Sequence, residues 1–189
     1  TSLDVRENTA LTELHCDNNK LTVLDVSKNT DLKTLYCNSN HLTFLDLQGL
    51  NDLSDVYVGG QTRDGIVLLQ SGGAYVLDLG AFIPEEGFDK VSGLAGQAGG
   101  TTLPAAYTPT SGKARFTTKP DKVTYEYNTG KTDGGNPVKM DVALTVTGVT
   151  VDYTIQVTVS GHGRVTRQGS TDPLSGDVTV SAGSNVTFV

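Results

Sequence analysis

Apolar residues return at a period of 21 positions over the first third of the chain. Residues 3–23 (LDVRENTALTELHCDNNKLTV) and 24–44 (LDVSKNTDLKTLYCNSNHLTF) agree at 11 of 21 positions. A weaker third copy, residues 45–65, keeps Leu45 and Leu53 and has Val58 in place of cysteine. Self-similarity at a fixed period predicts a repeat architecture in which neighbouring copies bury one another's apolar edges.

The first two copies share the pattern LxxLxCxxNxL, which resembles the leucine-rich-repeat phrase with cysteine at one leucine position. Alternation around the second leucine predicts a short strand with inward core residues, followed by a turn at the asparagine. Strands of successive copies would then lie in parallel about 4.8 Å apart. We therefore expect a short leucine-rich-repeat solenoid of parallel strands. The pattern residues are Leu11, Leu14, Cys16, Asn19 and Leu21, and then Leu32, Leu35, Cys37, Asn40 and Leu42.

Cys16 and Cys37 occupy the same inward position of adjacent copies. We expect a structural cysteine ladder in which each thiol acts as a small buried apolar group. The alternative is a disulfide, because two cysteines in an extracellular protein often pair. In-register parallel neighbours hold their Cβ atoms nearly as far apart as the strands, beyond the ~3.8 Å that a disulfide prefers. The spacing therefore favours free thiols.

Beyond residue 65 the period disappears and short alternating strands follow one another. Residues 140–147 (MDVALTVT) alternate apolar and polar positions, as do residues 123–127 (VTYEY), and Gly- and Pro-bearing connections separate such segments. This pattern predicts an antiparallel β-sandwich over residues 66–150, packed directly on the last repeat. Residues 151–189 show a third β pattern, which predicts a partial β-rich module that continues past Val189. The expected fold class is mainly β.

The stretch LTELHCDNNKLTVLDVSKNTDLKTLYCNSNHLTFLDL resembles the cysteine-bearing, 21-residue repeats of internalin-like surface proteins from Gram-positive bacteria. The resemblance covers residues 1–65, about a third of the chain. It implies repeats followed by an immunoglobulin-like sandwich and further β-rich modules. It also implies a role in cell adhesion by protein binding and a secreted or cell-wall-attached, extracellular location. The chain departs from the family in having only three copies and no N-terminal cap.

Composition excludes two classes of partner. The chain carries 14 basic and 21 acidic residues, for a net charge of −7, without the clustered Lys and Arg that nucleic-acid binding needs. No apolar run approaches the ~18 to 20 residues that span a bilayer, so we expect no membrane insertion. The sequence opens inside a repeat without a starting Met, which predicts that it is a piece of a longer protein.

The outward side chains of the repeat strands are the candidate binding site. They form three columns: Glu13, Thr34 and Asp55, then His15, Tyr36 and Tyr57, then Asp17, Asn38 and Gly59. Tyrosine offers a large rigid contact area with a polar tip, so we expect Glu13, His15, Thr34, Tyr36, Asn38, Asp55 and Tyr57 to form a ligand-binding concave face. The alternative is a solvated ladder, because ringed side chains also stack well on a flat sheet.

No pattern in the sequence supplies catalytic chemistry. No serine lies in a G-x-S-x-G motif, and nothing places an acid and a base at a defined separation. Glu13, His15 and Asp17 are metal-ligand types, but all three lie on one strand, so we expect no metal and no cofactor. The protein is therefore predicted not to be an enzyme.

Two functions remain open at this stage. The first is a surface adhesin, a monomer that binds a host or neighbouring-cell protein or glycan with its repeats and uses its β-rich region as cap and stalk. The second is a purely structural stalk or spacer whose binding face lies in other repeats.

Overall fold

The computed structural model describes residues 2–155 and 178–181. Three short 3₁₀ helices lie at Leu79–Ala81, Glu85–Lys90 and Pro109–Ser111. All other regular structure in the described residues is strand, so the fold is mainly β, as predicted. The strands are β1 Ser2–Asp4, β2 Glu13–His15, β3 Val23–Asp25, β4 Thr34–Tyr36, β5 Asp55–Tyr57, β6 Gln61–Ser71, β7 Ala74–Asp78, β8 Val91–Ala98, β9 Thr101–Pro104, β10 Ala106–Thr108, β11 Lys113–Phe116, β12 Lys122–Asp133, β13 Asn136–Ile155 and β14 Val178–Ser181.

The repeated segment contains two small parallel sheets. β1 pairs with β3 and places Leu3 opposite Leu24. β2, β4 and β5 form the second sheet, in which Leu14, Leu35 and Val56 lie side by side. Each partner is 21 residues further along the chain, so the sequence period is also the register of both sheets.

Turn geometry recurs with the same period. Asp4, Asp25 and Asp46 each accept a hydrogen bond from the backbone N–H two residues further on. Such a bond lets a short carboxylate stabilise a turn of its own backbone. Asn18, Ser39 and Gly60 share a second recurrent feature, a positive φ of 53°, 56° and 68°. The chain therefore changes direction at equivalent points of each copy.

A buried asparagine amide joins adjacent copies. Asn40 is 1% exposed. Its Nδ2 donates to the carbonyl oxygens of Cys16 at 2.9 Å and Cys37 at 3.0 Å, and its Oδ1 accepts from the Leu21 N–H at 2.9 Å. One side chain thus bonds to three buried backbone groups, two of them in the preceding copy, and among the described residues it is the only partner of the Leu21 N–H.

Glutamine takes over this role in the third copy. The Nε2 of Gln61 donates to the carbonyl oxygens of Cys37 at 2.9 Å and Val58 at 2.8 Å, and its Oε1 accepts from the Leu42 N–H at 3.1 Å. Gln61 is also 1% exposed. We call Asn40 and Gln61 the amide ladder. The third copy thus keeps the hydrogen bonds of the second after it has lost the asparagine.

One large mixed sheet forms the rest of the described chain. Its order is β10-β11-β7-β6-β13-β12-β8-β9, and β14 pairs with β13 beside this path. β6 and β13 run parallel, whereas the other neighbours in the order are antiparallel. The two edge strands, β9 and β10, are separated in sequence only by Ala105. Because consecutive Cα atoms lie about 3.8 Å apart, the sheet must curve until its edges nearly meet.

The large sheet packs directly against the repeated segment. The buried phenol of Tyr125 donates to the carbonyl oxygen of Thr43 at 2.7 Å, and the Thr43 hydroxyl donates to the carbonyl of Phe82 at 2.9 Å. The Leu47 N–H donates to the carbonyl oxygen of Thr129 at 2.8 Å. A single hydrophobic core accordingly runs from Val5 in the first copy to Val146 in the large sheet.

Two parts of the predicted fold class are wrong. Residues 66–150 are not an antiparallel immunoglobulin-like sandwich, because a single curved sheet with a parallel β6–β13 pair replaces two stacked sheets. The leucine-rich-repeat solenoid of parallel strands is not formed either. Within the described residues, positions 44–46 of the third copy are not a strand beside β3, and the chain bonds to β12 through Leu47 and Thr129 instead. Contacts with the large sheet therefore override the local repeat pattern.

The amide ladder generates a stability prediction. Asn40→Ala should lower the free energy of unfolding by about 2 kcal/mol, because it leaves the buried Leu21 N–H without its partner and removes one of the two amide hydrogen bonds from each of two carbonyl groups in the core. The change is measured as the shift in the midpoint of urea unfolding, followed by far-ultraviolet circular dichroism.

Asn19→Ala is the matched control, since Asn19 holds the same repeat position in the first copy but is exposed. Its amide donates only to carbonyl oxygens of its own turn, those of Cys16 and Asp17. We expect this variant to lose less than about 1 kcal/mol. Equal losses in the two variants would contradict the role given to the buried amide.

Candidate functional site

The three-stranded parallel sheet aligns the candidate binding residues in columns. Its register places Glu13, Thr34 and Asp55 side by side. His15, Tyr36 and Tyr57 form the next row, which we call the aromatic column. Alternation along each strand turns these side chains to the face opposite the core leucines.

Each ring of the aromatic column contacts the next one. The ring centroids of His15 and Tyr36 lie 4.4 Å apart at an interplanar angle of 46°. Those of Tyr36 and Tyr57 lie 4.8 Å apart at 87°, an edge-to-face contact of the kind that aromatic pairs prefer. Tyr57 ends the column and is 58% exposed. A rigid, largely uncovered ring is thus held at one end of the stack.

A hydrogen bond ties the aromatic column to the neighbouring carboxylates. The Tyr36 phenol on β4 donates to Oδ2 of Asp55 on β5 at 2.6 Å. This bond is the largest cause that raises the pKa of Tyr36 to about 12, and partial burial and the negative charges of Asp55 and Glu13 act in the same direction. The Asp55 carboxylate is therefore fixed in orientation beside the rings.

A carboxylate from the large sheet completes the third column. That column contains Asp17 and Asn38 and ends at Gly59, which has no side chain. A Cβ atom on Gly59 would lie only 2.5 Å from Oδ1 of Asp141 on β13, and the same oxygen accepts from the Gly60 N–H at 2.9 Å. Asp141 therefore occupies the place of the missing side chain.

Sequence reasoning missed Asp141 because it lies 81 residues from Gly60. The signal in the sequence was the Gly-Gly pair at positions 59 and 60, which interrupts a column of larger side chains. Such a pair marks a close approach of another part of the molecule.

The remaining candidate residues make local contacts. Asn18 donates to the Asp17 carboxylate, and Asn38 reaches the hydroxyl of Ser39 at 3.5 Å. Thr34 lies in the middle of the first column and is half-buried. Among the residues that the structure describes, no group of three or more His, Cys, Asp or Glu is placed to hold a metal ion.

The two cysteines lie beneath the aromatic column as free, buried thiols. Cys16 is 7% exposed and Cys37 is fully buried. Burial raises the pKa of Cys16 to about 11 and that of Cys37 to about 12, and the neighbouring Asp17 charge adds to the shift of Cys16. Both thiols are therefore protonated at neutral pH and belong to the core rather than to the surface chemistry.

An open cleft of about 310 Å³ lies away from these columns, where β6 and β7 diverge. The Arg63 guanidinium sits over the Phe82 ring at 5.3 Å on one side of it. The charged residues of the lining are Arg63, Asp64 and Asp78, and Asp78 pairs with Lys113 at 3.6 Å. Polar and apolar atoms line the cleft in nearly equal measure.

Comparisons with known proteins give partial structural likenesses. No family model and no curated protein matches the chain. The chain is similar to the functional domain of InlJ from Listeria monocytogenes, a structure that includes a cysteine ladder, at 19% identity and a TM-score of 0.41. That match covers 77% of this chain and 36% of the other.

Two further solved structures overlap with similar extent. One contains CBM51-2 in complex with GlcNAc and INT domains of ZmpB from Clostridium perfringens, at 18% identity and a TM-score of 0.44, covering 75% of this chain and 31% of that one. The other is an internalin-like protein of Listeria monocytogenes, at 15% identity and a TM-score of 0.33, covering 74% of this chain and 51% of that one. The chain thus spans about a third to a half of the structures that it resembles.

None of the helices in the described residues has the length and apolar character needed to cross a membrane.

Thiol reactivity should report the burial of the two cysteines. In the native protein at pH 8 we expect very slow reaction with Ellman's reagent, because both pKa values lie well above that pH and neither sulfur is open to solvent. Addition of guanidinium chloride should release both thiols at once. Rapid modification of both in the folded state, as judged by circular dichroism, would contradict this placement.

The pKa of Tyr36 should depend on its hydrogen bond to Asp55. A raised pKa means that folding favours the protonated phenol, so this contribution to stability is complete below pH 10 and is lost as the pH approaches 12. Asp55→Asn should move the Tyr36 pKa back toward 10, as measured by NMR of ring-labelled tyrosine. Asp17→Asn, on the same face but without a bond to Tyr36, should leave it unchanged. A Tyr36 pKa that is the same in wild type and Asp55→Asn would refute the assignment.

Proposed function

We propose that this chain is part of a bacterial cell-surface binding protein whose aromatic column contacts a protein or glycan of another cell. The observation that carries the proposal is the exposed ring of Tyr57, stacked on Tyr36 and flanked by the oriented Asp55 carboxylate. Rigid aromatics bordered by hydrogen-bonding groups concentrate binding energy at small cost in conformational entropy. The bacterial and extracellular assignment rests on the resemblance of the repeats to internalin-like sequences.

The large sheet has a supporting role in this proposal. It shares a hydrophobic core with the repeated segment and bonds to it through Tyr125 and Thr129. Asp141 extends this support to the binding face itself. A rigid base of this kind keeps the aromatic column in one arrangement and lowers the entropy lost on binding.

The proposed activity is binding rather than catalysis. The groups around the aromatic column are carboxylates, an amide and phenols on an open sheet face, where a reacting group would stay in contact with water. Such a face suits a large partner surface, which itself excludes water at the contact. We expect the protein to be a monomer that is secreted or attached to the cell wall.

A binding screen tests the proposal. The purified protein, labelled with a fluorophore, is applied to arrays of immobilised glycans and of cell-surface proteins. For any bound probe, the double variant Tyr36→Ala/Tyr57→Ala should bind at least tenfold more weakly, because its two principal contact rings are removed. Urea unfolding should show a folded variant, since both rings point away from the core.

Val67→Ala is the matched control, because Val67 is similarly exposed, at 53%, but lies on the large sheet. It should bind every probe as the wild type does. If the double variant keeps full affinity for a bound probe, the aromatic column is not the binding site. A wild type that binds no probe better than the double variant would support the structural stalk instead.

A further inference from the structure

The three outward columns of the repeat strands contain acidic residues and neither lysine nor arginine. Glu13, Asp17 and Asp55 lie in the three columns, and Asp141 adds a fourth carboxylate beside Gly59. Residues 1–65 as a whole contain ten acidic and five basic residues. The field of such a surface attracts a cationic partner and repels an anionic one.

Asp55 is the carboxylate best prepared to pair with a cation. Its Oδ2 accepts the Tyr36 phenol, which fixes the plane of the carboxylate. Its Oδ1 accepts no hydrogen bond from any residue in the described part of the chain. A partner can therefore pair with an oriented acceptor without the entropy cost of ordering it first.

Tyr57 lies at the right distance to act together with Asp55. The two residues are two positions apart on β5, so their side chains share one face about 6.6 Å apart along the strand. A planar guanidinium can stack on a tyrosine ring while its N–H groups point sideways to a carboxylate. The ammonium of lysine is a compact point charge and cannot stack in this way.

We propose that Asp55 and Tyr57 form a subsite for an arginine side chain of a basic protein partner. The guanidinium stacks on the exposed Tyr57 ring and donates to Oδ1 of Asp55, while Glu13, Asp17 and Asp141 supply the surrounding negative potential. This inference rests on the proposed function, since it names what the aromatic column recognises. A neutral sugar can stack on the same ring and donate its hydroxyl groups to a carboxylate, but the net negative charge of the face does not attract it.

Three capped pentapeptides test the subsite directly. They are Gly-Arg-Gly-Arg-Gly, its lysine counterpart and its citrulline counterpart, in which the guanidinium is replaced by a neutral group of nearly the same shape. Binding is followed by NMR of ring-labelled tyrosine at low salt. The arginine peptide should shift the Tyr57 and Tyr36 resonances and bind at least fivefold more tightly than the lysine peptide. The citrulline peptide should cause no shift.

Variants then separate charge from structure. Asp55→Asn keeps an oxygen that accepts the Tyr36 phenol but removes the charge, and it should weaken binding of the arginine peptide at least fivefold. Tyr57→Leu keeps an apolar side chain without the ring and should weaken binding at least threefold. The control is Glu85→Gln, because Glu85 is an exposed carboxylate on the 3₁₀ helix Glu85–Lys90, outside the sheet that carries the aromatic column. It should bind the arginine peptide as the wild type does.

Two results would overturn the proposal. One is equal affinity for the arginine and lysine peptides, which would reveal only a general charge effect. The other is an arginine-peptide affinity that does not change in Asp55→Asn. Failure of the subsite is distinguishable from failure of the proposed function. If array binding depends on Tyr36 and Tyr57 but not on Asp55, the aromatic column is a binding surface but Asp55 and Tyr57 do not form an arginine subsite. If the arginine peptide binds at Tyr57 but array binding is unchanged in the Tyr36→Ala/Tyr57→Ala variant, the arginine subsite exists and the proposed function is wrong.

Discussion

The parallel register of the repeated segment depends on the amide ladder. At the turns after β2 and β4, several backbone groups bond directly between neighbouring copies, whereas the buried N–H groups of Leu21 and Leu42 bond to amide side chains instead. Asn40 and Gln61 accept from these N–H groups and donate to buried carbonyl oxygens of two adjacent copies. A copy that slipped by one residue would lose several of these hydrogen bonds at once. Since each unpaired buried N–H or carbonyl costs about 1–3 kcal/mol, the slipped register is strongly disfavoured. The register holds the three outward columns in line.

Alternation along each short strand divides structural from binding positions. Leu35 and Cys37 are fully buried, whereas Tyr36 between them turns to the outer face. The inner positions need apolar volume, which cysteine supplies as well as leucine or valine does. The outer positions have no such demand and can change between copies, as the column His15, Tyr36 and Tyr57 does. A face of this kind can therefore acquire a new partner without loss of the fold.

The sequence predicted what depends on local spacing and missed what depends on distant pairing. The 21-residue period predicts the register of β2, β4 and β5, because each residue and its partner come from equivalent positions. The parallel pairing of β6 with β13 leaves no such trace: Val142 lies opposite Gln61, 81 residues away in sequence, and the pairing contains register shifts. The alternation of apolar and polar residues at positions 140–147 predicted a strand with one buried face, but it did not show which strands lie beside it. The curved sheet and the contribution of Asp141 followed from that pairing and could not be predicted.

The same distant pairing joins the binding face to the rest of the molecule. β13 runs beside β6, which begins at Gln61, the last member of the amide ladder. Asp141 projects from β13 onto the Gly59–Gly60 turn, and the absence of a side chain on Gly59 is what leaves room for it. The turn after β5 is thus held from inside by Gln61 and from outside by Asp141. Since Tyr57 lies immediately before this turn, its exposed ring is placed by backbone that both Gln61 and Asp141 hold.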